Sequence, residues 1–488
     1  MFVFVNFLNP SLFYSLLLAS LFLLIFALGC KSIEIRYIYY TYECAECRCF
    51  FILKGGYPLG SKSYAKQNSQ EKWPKFDLVK KRNFALKLNP YPCSPLQLFN
   101  FNQFFSSELY APDGAPLQLG EKLQRPKLAR TYEKIAKHGA DYFYQGEMAD
   151  TIIDDLRQAG GVMTKEDLAK YQVVIQDPLK TKINNFNVLS VPSPGSGALL
   201  LLSLKIMSKF NWKPKDFMDD PALVYHQMIE AFKLAYAPTT FLGDPRFTPH
   251  AHQVEQYMLN DTTAEDMFNK IDKNSHDVKY YKPYSTLYND EKTGTSHMSL
   301  LDTHGSAVSV TSSINAYFGS KLRSRDLGFI YNNDLADFAE FWPTIYNLTS
   351  DKKIPYKRPV SKSMPNIWVK NKKVHAVFGA AGGFFIPSAV GMTIANWLFF
   401  NDNLKVAVSR PRLHCQLFPP TVVYEPTLPP PMVAKIKEFG HQSVTNNTYD
   451  VSGQSHAIMG VVQAIVRLPN GKVTAECDYR KGGKPAGI

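Results

Sequence analysis

The chain has 488 residues, of which 45% are hydrophobic and 20% charged, and its formal net charge is +13. This composition is too apolar for a disordered chain and too polar for a multi-span membrane protein, so it predicts a globular body with a sizeable core. The positive charge raises the question of a nucleic-acid partner. The basic stretch from Lys62 to Lys87 carries no finger, zipper or RNA-binding signature, so we predict a solvated segment there and no nucleic-acid partner.

The first 30 residues carry no charged side chain, and residues 11–29 read SLFYSLLLASLFLLIFALG. At about 1.5 Å per residue a helix of this length just spans a hydrocarbon core. Residues 1–30 therefore predict a signal-anchor helix, with a cleaved signal peptide as the alternative. Positive charges follow this segment, which favours a cytosolic body, whereas sequons at Asn260, Asn347 and Asn446 favour an exported one.

Seven cysteines are spread unevenly along the chain, and three of them form the cluster Cys44-x-x-Cys47-x-Cys49. No second pair of ligands follows at zinc-finger spacing. Local disulfides or plain thiols therefore explain the cluster better than a metal site does, and we predict neither a metal nor a cofactor. The odd number of cysteines leaves at least one thiol unpaired within the chain.

Residues 31–108 show no sustained period of 2 or 3.6, and they predict an atypical, irregular segment. A continuous folded body begins at residue 109. Its first predicted elements are helices over 126–137 and 147–159, a short helix opened by Thr164-x-x-Asp167, and a strand over 187–191.

The next elements are a buried helix after PSPGSG and an amphipathic helix over 221–236. After Thr295 the period becomes 2, which predicts two strands around the turn Asp302-Thr-His-Gly305. Strands and helices in this succession predict a layered α/β body.

Thr295 stands in GTSHMSLLD, directly after Gly294. A threonine hydroxyl needs an adjacent base, and the α-amino group of an N-terminal threonine supplies one near neutral pH. That group exists only after the Gly294–Thr295 bond is cut. Taken alone, the residue is more simply a threonine that begins a strand.

Three further motifs have a chemical interpretation beside a plainer one. Two glycines in Gly379-Ala-Ala-Gly382-Gly383 allow backbone N–H groups to approach an oxyanion, or form a tight turn. Asp334 and Asp337 can hold an ammonium group, or favour a helix N-terminus. Hydroxyls and cations in RPVSKSMP can bind a carboxylate, or form a Ser/Pro loop.

The order of these blocks resembles the γ-glutamyltransferase family over roughly residues 109–488. The matching text includes LARTYEKIAKHGADYFYQGEMADTI, GGVMTKEDLAKY, PSPGSGALLL, HQMIEAFKLAYA, FLGDPRF, TSHMSLLDTHGSAVSVTSSINAYFGSKL, GFIYNNDLADF, RPVSKSMP, GAAGG and YRKGGKPAG. The resemblance implies the αββα sandwich of N-terminal-nucleophile hydrolases. It also implies self-cleavage into a large part, 109–294, and a small catalytic part, 295–488.

The resemblance further implies the residues of the site. Thr295 is the nucleophile, Ser313 supports it, and Gly382 and Gly383 hold the oxyanion. The substrate ammonium is held by Asn315, Asp334 and Asp337, and its carboxylate partly by Ser361.

The implied substrates are glutathione and other γ-glutamyl compounds, with water, amino acids or dipeptides as acceptors. The implied location is the plasma membrane, as a single-pass type II protein with an extracellular catalytic body.

Two departures from the family pattern keep alternatives open. The family's paired Ser-Ser becomes Ser361-Lys362, unless a one-residue gap brings in Ser363. The family's N-terminal arginine clamp has no counterpart in residues 31–108. An inactive, membrane-anchored homologue with a binding or structural role is therefore the main alternative, and an acylase of the same fold acting on another amide is the second.

Overall fold

In the computed structural model, the described residues are 2–6, 50–53, 107–115, 117–118, 121–282, 294–338, 353–441, 443–446 and 459–487. The core of the predicted anchor, the basic stretch and the cysteine cluster lie outside them. Among these residues no helix is both long and apolar enough to cross a membrane. Cys415 is a buried free thiol, and Cys477 is buried as well.

Ten of the described α-helices precede residue 294, and three alternate with the strands that follow it. They are α1 (Ser107–Tyr110), α2 (Pro126–His138), α3 (Ala140–Tyr144), α4 (Glu147–Gln158), α5 (Lys165–Ala169), α6 (Gly197–Ser208), α7 (Pro214–Asp219), α8 (Pro221–Thr239), α9 (Ala251–Leu259), α10 (Asp261–Phe268), α11 (Ile386–Leu398), α12 (Leu404–Ser409) and α13 (Pro430–Glu438).

The described strands form three sheets. They are β1 (Phe2–Asn6), β2 (Phe50–Leu53), β3 (Leu179–Ile183), β4 (Phe186–Ser190), β5 (Thr295–Asp302), β6 (Ala307–Ser313), β7 (Asn366–Lys370), β8 (Lys373–Ala381), β9 (Leu413–His414), β10 (Thr421–Tyr424), β11 (Ser443–Asn446), β12 (Val461–Arg467), β13 (Val473–Cys477) and β14 (Pro485–Gly487).

Two sheets carry the architecture. One has the order β1-β6-β5-β2-β14 and the other β13-β12-β8-β7-β4-β3. They face each other through β5 and β6 against β8 and β12. Helices α6 and α11 cover the six-stranded sheet, and α8 packs on the outer side of α6. Together they bury an apolar core that includes Trp368 and Phe378.

Local signals in the sequence place the early helices correctly. Helix α2 ends at Gly139, whose φ of 82° favours glycine. Helix α5 begins with the predicted capping box, in which the Thr164 side chain accepts from the Asp167 amide and the Asp167 carboxylate accepts from the Thr164 amide. Strand β4 starts one residue before its predicted position.

Three predictions need correction. Helix α8 is buried on nearly all sides rather than amphipathic, because its polar residues His226, Glu230 and Lys233 are enclosed as well. The turn expected over 379–383 is limited to Gly382-Gly383, since β8 runs through to Ala381. Residues 50–53, within the segment expected to be irregular, pair with β5 and β14.

Candidate functional site

Thr295 is the first residue of β5, next to the last residue of β6. In the antiparallel register it lies directly opposite Ser313. Directly paired residues project to the same face, and the Thr295 Oγ1 is 2.9 Å from the Ser313 Oγ. Thr295 is only 4% exposed. The hydroxyl of the predicted nucleophile therefore has a hydrogen-bond partner, the Ser313 hydroxyl, which can donate to it or accept from it.

Gly294 extends this pairing by one residue. Its N–H donates to the Asn315 carbonyl at 2.5 Å, and its carbonyl accepts from the Ile314 N–H at 3.0 Å. A Cβ at this position would lie 2.1 Å from the Ala316 carbonyl oxygen. Glycine is required here by the close approach of the backbone, and the two backbone hydrogen bonds hold the peptide group that precedes Thr295.

Gly382 and Gly383 lie at the same end of the sandwich as Thr295. Position 379 on β8 faces the ring of His297, since a Cβ on Gly379 would lie 2.1 Å from the ring. Thr295 lies two residues before His297 on β5, and Gly382 lies three residues after Gly379 at the end of β8, so both stand near the same edge of the sandwich. Gly382 and Gly383 have φ values of 122° and 57°, which favour glycine.

The residue before the neighbouring strand β12 packs closely against this turn. A Cβ on Gly382 would lie 2.7 Å from the Cα of Gly460, directly before β12. Helix α11 begins at Ile386, a few residues after the turn. A strand end followed by a helix N-terminus is a favourable place to stabilise an oxyanion.

The loop after β6 brings in the predicted ammonium ligands. Asn315 is buried with φ 70°, and its Nδ2 donates to the Asn333 carbonyl at 3.1 Å. The Asn333 Oδ1 accepts from the Ala316 N–H at 3.0 Å. Asp334 and Asp337 follow at the two ends of a short 3-10 helix. These contacts fix the acidic turn to the loop that leaves Ser313.

The loop 361–363 precedes β7, which starts opposite Phe378 of β8. It therefore lies at the same end of the sheet as Gly382. The Ser361 Oγ donates to the Ser363 Oγ at 3.0 Å, so two hydroxyls stand side by side although Lys362 separates them in sequence. The Lys362 Nζ lies 5.8 Å and 5.7 Å from the ring centres of Tyr236 and Phe384.

His297 is enclosed rather than exposed to a substrate. Its Nδ1 lies 2.8 Å from the Thr311 Oγ1 and its Nε2 3.0 Å from the Ser299 Oγ. Burial lowers the pKa of His297 to about 3, so the ring is neutral. Its position between β5 and β8 fixes the spacing of the two sheets beside Thr295.

A cluster of buried charged residues, which the sequence did not predict, lies beside Gly460. Arg412 and Arg480 both pair with the buried Asp478, at 2.7 Å and 3.0 Å. Arg480 also binds both carboxylate oxygens of Glu425, at 2.5 Å and 2.7 Å. The Arg412 Nη1 donates to the Gly460 carbonyl at 2.8 Å, so this cluster supports the glycine that packs on Gly382.

Sequence reasoning also missed Lys481, whose Nζ donates to the Thr295 carbonyl at 2.9 Å. The only signal for it was the block YRKGGKPAG, which supported the resemblance without indicating a role. Lys481 and Thr295 are 186 residues apart in the chain, and no local sequence pattern can predict a contact over that separation.

A second buried cluster has the residue types of a metal site, formed by His226, Glu230 and His441. The His226 Nδ1 and the His441 Nε2 lie 3.0 Å apart in a hydrogen bond. The Lys233 Nζ donates to Glu230 at 2.9 Å and approaches the His441 Nδ1 at 3.3 Å. The lysine ammonium thus compensates the charge of Glu230, and the two histidine nitrogens that face each other are already hydrogen-bonded.

Comparison with known proteins agrees with this geometry. The family model Gamma-glutamyltranspeptidase matches residues 89–488. Scoloptoxin SSD14 of Scolopendra dehaani is 36% identical over 373 residues, covering 74% of this chain and 62% of that protein. Glutathione hydrolase proenzyme 1 of Schizosaccharomyces pombe is 35% identical over 344 residues, covering 69% of this chain and 54% of that protein.

Among solved structures, the cephalosporin acylase of Bacillus halodurans is similar with a TM-score of 0.65 and 26% identity. The likeness covers 84% of this chain and 69% of that one. It confirms the predicted sandwich of the N-terminal-nucleophile type. The chain spans between about half and two thirds of the length of the two curated relatives. With its fold and the match over residues 89–488, the chain belongs to the gamma-glutamyltranspeptidase family.

Proposed function

We propose that the chain cuts itself between Gly294 and Thr295 and then acts as a γ-glutamyltransferase or glutathione hydrolase. The observation that carries this proposal is the Thr295 hydroxyl, which lies 2.9 Å from the Ser313 hydroxyl at the start of a strand preceded by a closely packed glycine. A nucleophile with a positioned hydroxyl partner and an adjacent glycine turn is the arrangement that acyl transfer requires.

In the cutting step the Thr295 Oγ attacks the Gly294 carbonyl carbon. The Ile314 N–H already donates to that carbonyl oxygen at 3.0 Å, which favours the negative charge that develops there. The C–N bond breaks, its nitrogen takes the hydroxyl proton, and an ester remains. Water hydrolyses the ester and leaves Thr295 with a free α-amino group.

In turnover the Thr295 Oγ attacks the γ-carbonyl carbon of a γ-glutamyl compound such as glutathione. Its proton passes through the α-amine to the nitrogen of the leaving group, and the C–N bond breaks. The γ-glutamyl ester then transfers to water or to the amine of an amino acid or dipeptide. Gly382 and Gly383 would stabilise the oxyanion in both halves.

The substrate's charged groups would be held on either side of the acyl carbon. Asn315, Asp334 and Asp337 would hold the ammonium group. The hydroxyls of Ser361 and Ser363, which lie side by side, would turn to donate to the α-carboxylate as two adjacent serines would.

The test compares the chain with Thr295→Ala, and Thr303→Ala in the exposed turn of the same hairpin is the matched control. A denaturing gel and N-terminal sequencing should show two chains and a new N-terminus at Thr295 in the parent and the control alone. Release of p-nitroaniline from γ-glutamyl-p-nitroanilide should follow the same pattern. A parent that stays in one piece would favour the non-catalytic homologue. A cut parent that hydrolyses only other acyl amides, such as a glutaryl amide, would favour the acylase.

We further propose that residues 11–29 anchor the protein in the plasma membrane with its body outside the cell. The support is the apolar run itself and the sequon at Asn260, which is exposed at the start of α10. Protease protection of intact cells and a mass decrease after glycosidase treatment test orientation and glycosylation. A body that resists protease until the cells are opened would reject this location.

A further inference from the structure

The short segment that carries Lys481 is held in place by the two residues Asp478 and Arg480. Asp478, which precedes it, accepts from the Val462 N–H and donates its own N–H to the Val462 carbonyl, both at 3.0 Å. Arg480 is held by Glu425 and Asp478 and donates to the carbonyls of Val408 and Arg410. The 3-10 turn Tyr479–Lys481 therefore leaves a rigid base.

From this base the half-buried Lys481 side chain reaches the first residue of β5, where its Nζ donates to the Thr295 carbonyl at 2.9 Å. Within one residue the carbonyl oxygen and the amide nitrogen are at most about 3.6 Å apart. The lysine ammonium therefore lies within roughly 6.5 Å of the nitrogen that cleavage would convert into the α-amino group of Thr295.

We propose that Lys481 is a positioning residue that holds the Thr295 carbonyl and whose positive charge keeps the new α-amino group neutral, able to accept a proton, near neutral pH. This inference rests on the proposed self-cleavage. An ordinary α-amine has a pKa of about 7.7 to 8.0, so it is mostly protonated and unable to act as a base at pH 7. A cation at roughly 6.5 Å, at an effective dielectric of about 20 to 40, lowers such a pKa by about one to two units.

The other charged groups around Thr295 do not supply the same effect. Among the described residues, strands β6, β8 and β12 present uncharged groups at the end that holds Thr295, including Ser313, Gly379 and Gln463. The ring of His297 is neutral. Arg412 and Arg480 are balanced by Glu425 and Asp478 within their own cluster.

Asp334 and Asp337, on the turn joined to Asn315, act in the opposite direction because a negative charge favours the ammonium form. The contribution of Lys481 is therefore measured as a difference between variants that keep both aspartates.

Four substitutions separate charge from contact. Lys481→Gln keeps a hydrogen-bond donor without the charge, Lys481→Met removes both, and Lys481→Arg keeps both. Lys484→Gln, at an exposed lysine three residues on, is the matched control. Cyanate carbamylates only unprotonated amines, so the rate at which it modifies the Thr295 N-terminus from about pH 6 to about pH 9.5, followed by mass spectrometry, reports the pKa of this α-amine.

We expect the α-amine pKa to rise by about one to two units in Lys481→Gln and Lys481→Met, and to stay at the parent value in Lys481→Arg and Lys484→Gln. The acid limb of the kcat/KM profile should move by the same amount, about a tenfold loss per unit at a fixed pH below the limb. A merely structural lysine would lower the rate without moving this limb.

An unchanged α-amine pKa in Lys481→Gln would overturn the inference while leaving the proposed function standing. A shifted pKa in a cut protein that releases no γ-glutamyl product would leave the inference standing and remove the proposed function. Cleavage that fails in both neutral variants but proceeds in Lys481→Arg would place the charge in the cutting step and overturn the role assigned here. A parent that never cuts has no α-amine, and both would fall.

Discussion

We expect the free energy of unfolding to fall in mild acid because of three buried histidines. His297, His414 and His441 are each no more than 6% exposed. Burial lowers their pKa values to about 3, about 4 and about 2, respectively, and for His441 the charge of Lys233 adds to the effect. An imidazole surrounded by hydroxyls, an amide and a lysine cannot bind a second proton without breaking its hydrogen bonds.

The size of the effect follows from proton linkage. In the unfolded chain a histidine binds a proton near pH 6.5, whereas these three stay neutral in the fold down to about pH 4 or below. Stability is therefore fully present above pH 6.5 and falls as the pH drops, because the unfolded state binds more protons. Each histidine costs about 1.4 kcal/mol at pH 5.5, so the three together cost about 4 kcal/mol.

The assay is urea unfolding followed by tryptophan fluorescence at pH 7.5, 6.5 and 5.5. The parent should lose at least about 4 kcal/mol of unfolding free energy from pH 7.5 to pH 5.5, since burial lowers the pKa of His226 as well. His297→Gln removes one of the linked protons, so its loss over this range should be about 1.4 kcal/mol smaller. His250→Gln, at an exposed position on the same chain, should follow the parent. An unfolding free energy that is equal at pH 7.5 and 5.5, or a His297→Gln slope equal to that of the parent, would refute the reasoning.

Two further predictions concern the site. Ser313→Ala removes the hydroxyl that lies 2.9 Å from the Thr295 Oγ1 and should slow both self-cleavage and turnover by roughly 10- to 100-fold. Ser312→Ala, on the exposed face of the same strand, should slow neither step. Time-resolved gels and p-nitroaniline release measure the two rates, and equal rates in the two variants would contradict this prediction. Gly379→Ala would put a Cβ 2.1 Å from the His297 ring and should destabilise the fold by about 1 to 3 kcal/mol through overpacking; a urea midpoint like that of the parent would show that the sheets can separate there at no cost.

Local sequence determined much of the architecture because its signals act over a few residues. The glycine after α2 and the capping box of α5 end and begin helices by short-range backbone bonding. The period-2 pattern after Thr295 places β5 and β6, and the turn between them sets their register. The Thr295–Ser313 pairing could thus be read from the chain once the hairpin was predicted.

Tertiary structure decided which polar residues are buried. Helix α8 carries the polar positions His226, Glu230 and Lys233, which in sequence look like a solvent-facing side. They are buried because His441, more than 200 residues away, completes their hydrogen bonding. A periodicity argument assumes that polar residues face water, and it fails wherever distant polar groups replace the water.

The candidate site shows the same division. The predicted residues, from Thr295 and Ser313 to the glycine turn and Ser361, are all brought to one end of the sandwich, where their chemical roles stay predictions. The pairing of Ser361 with Ser363 across a lysine, and the approach of Lys481 to the Thr295 carbonyl, were decided only by folding. Sequence specifies which groups a chain owns and how they lie within a few residues, whereas the distances between groups far apart in the chain are set by the packing of whole sheets and helices.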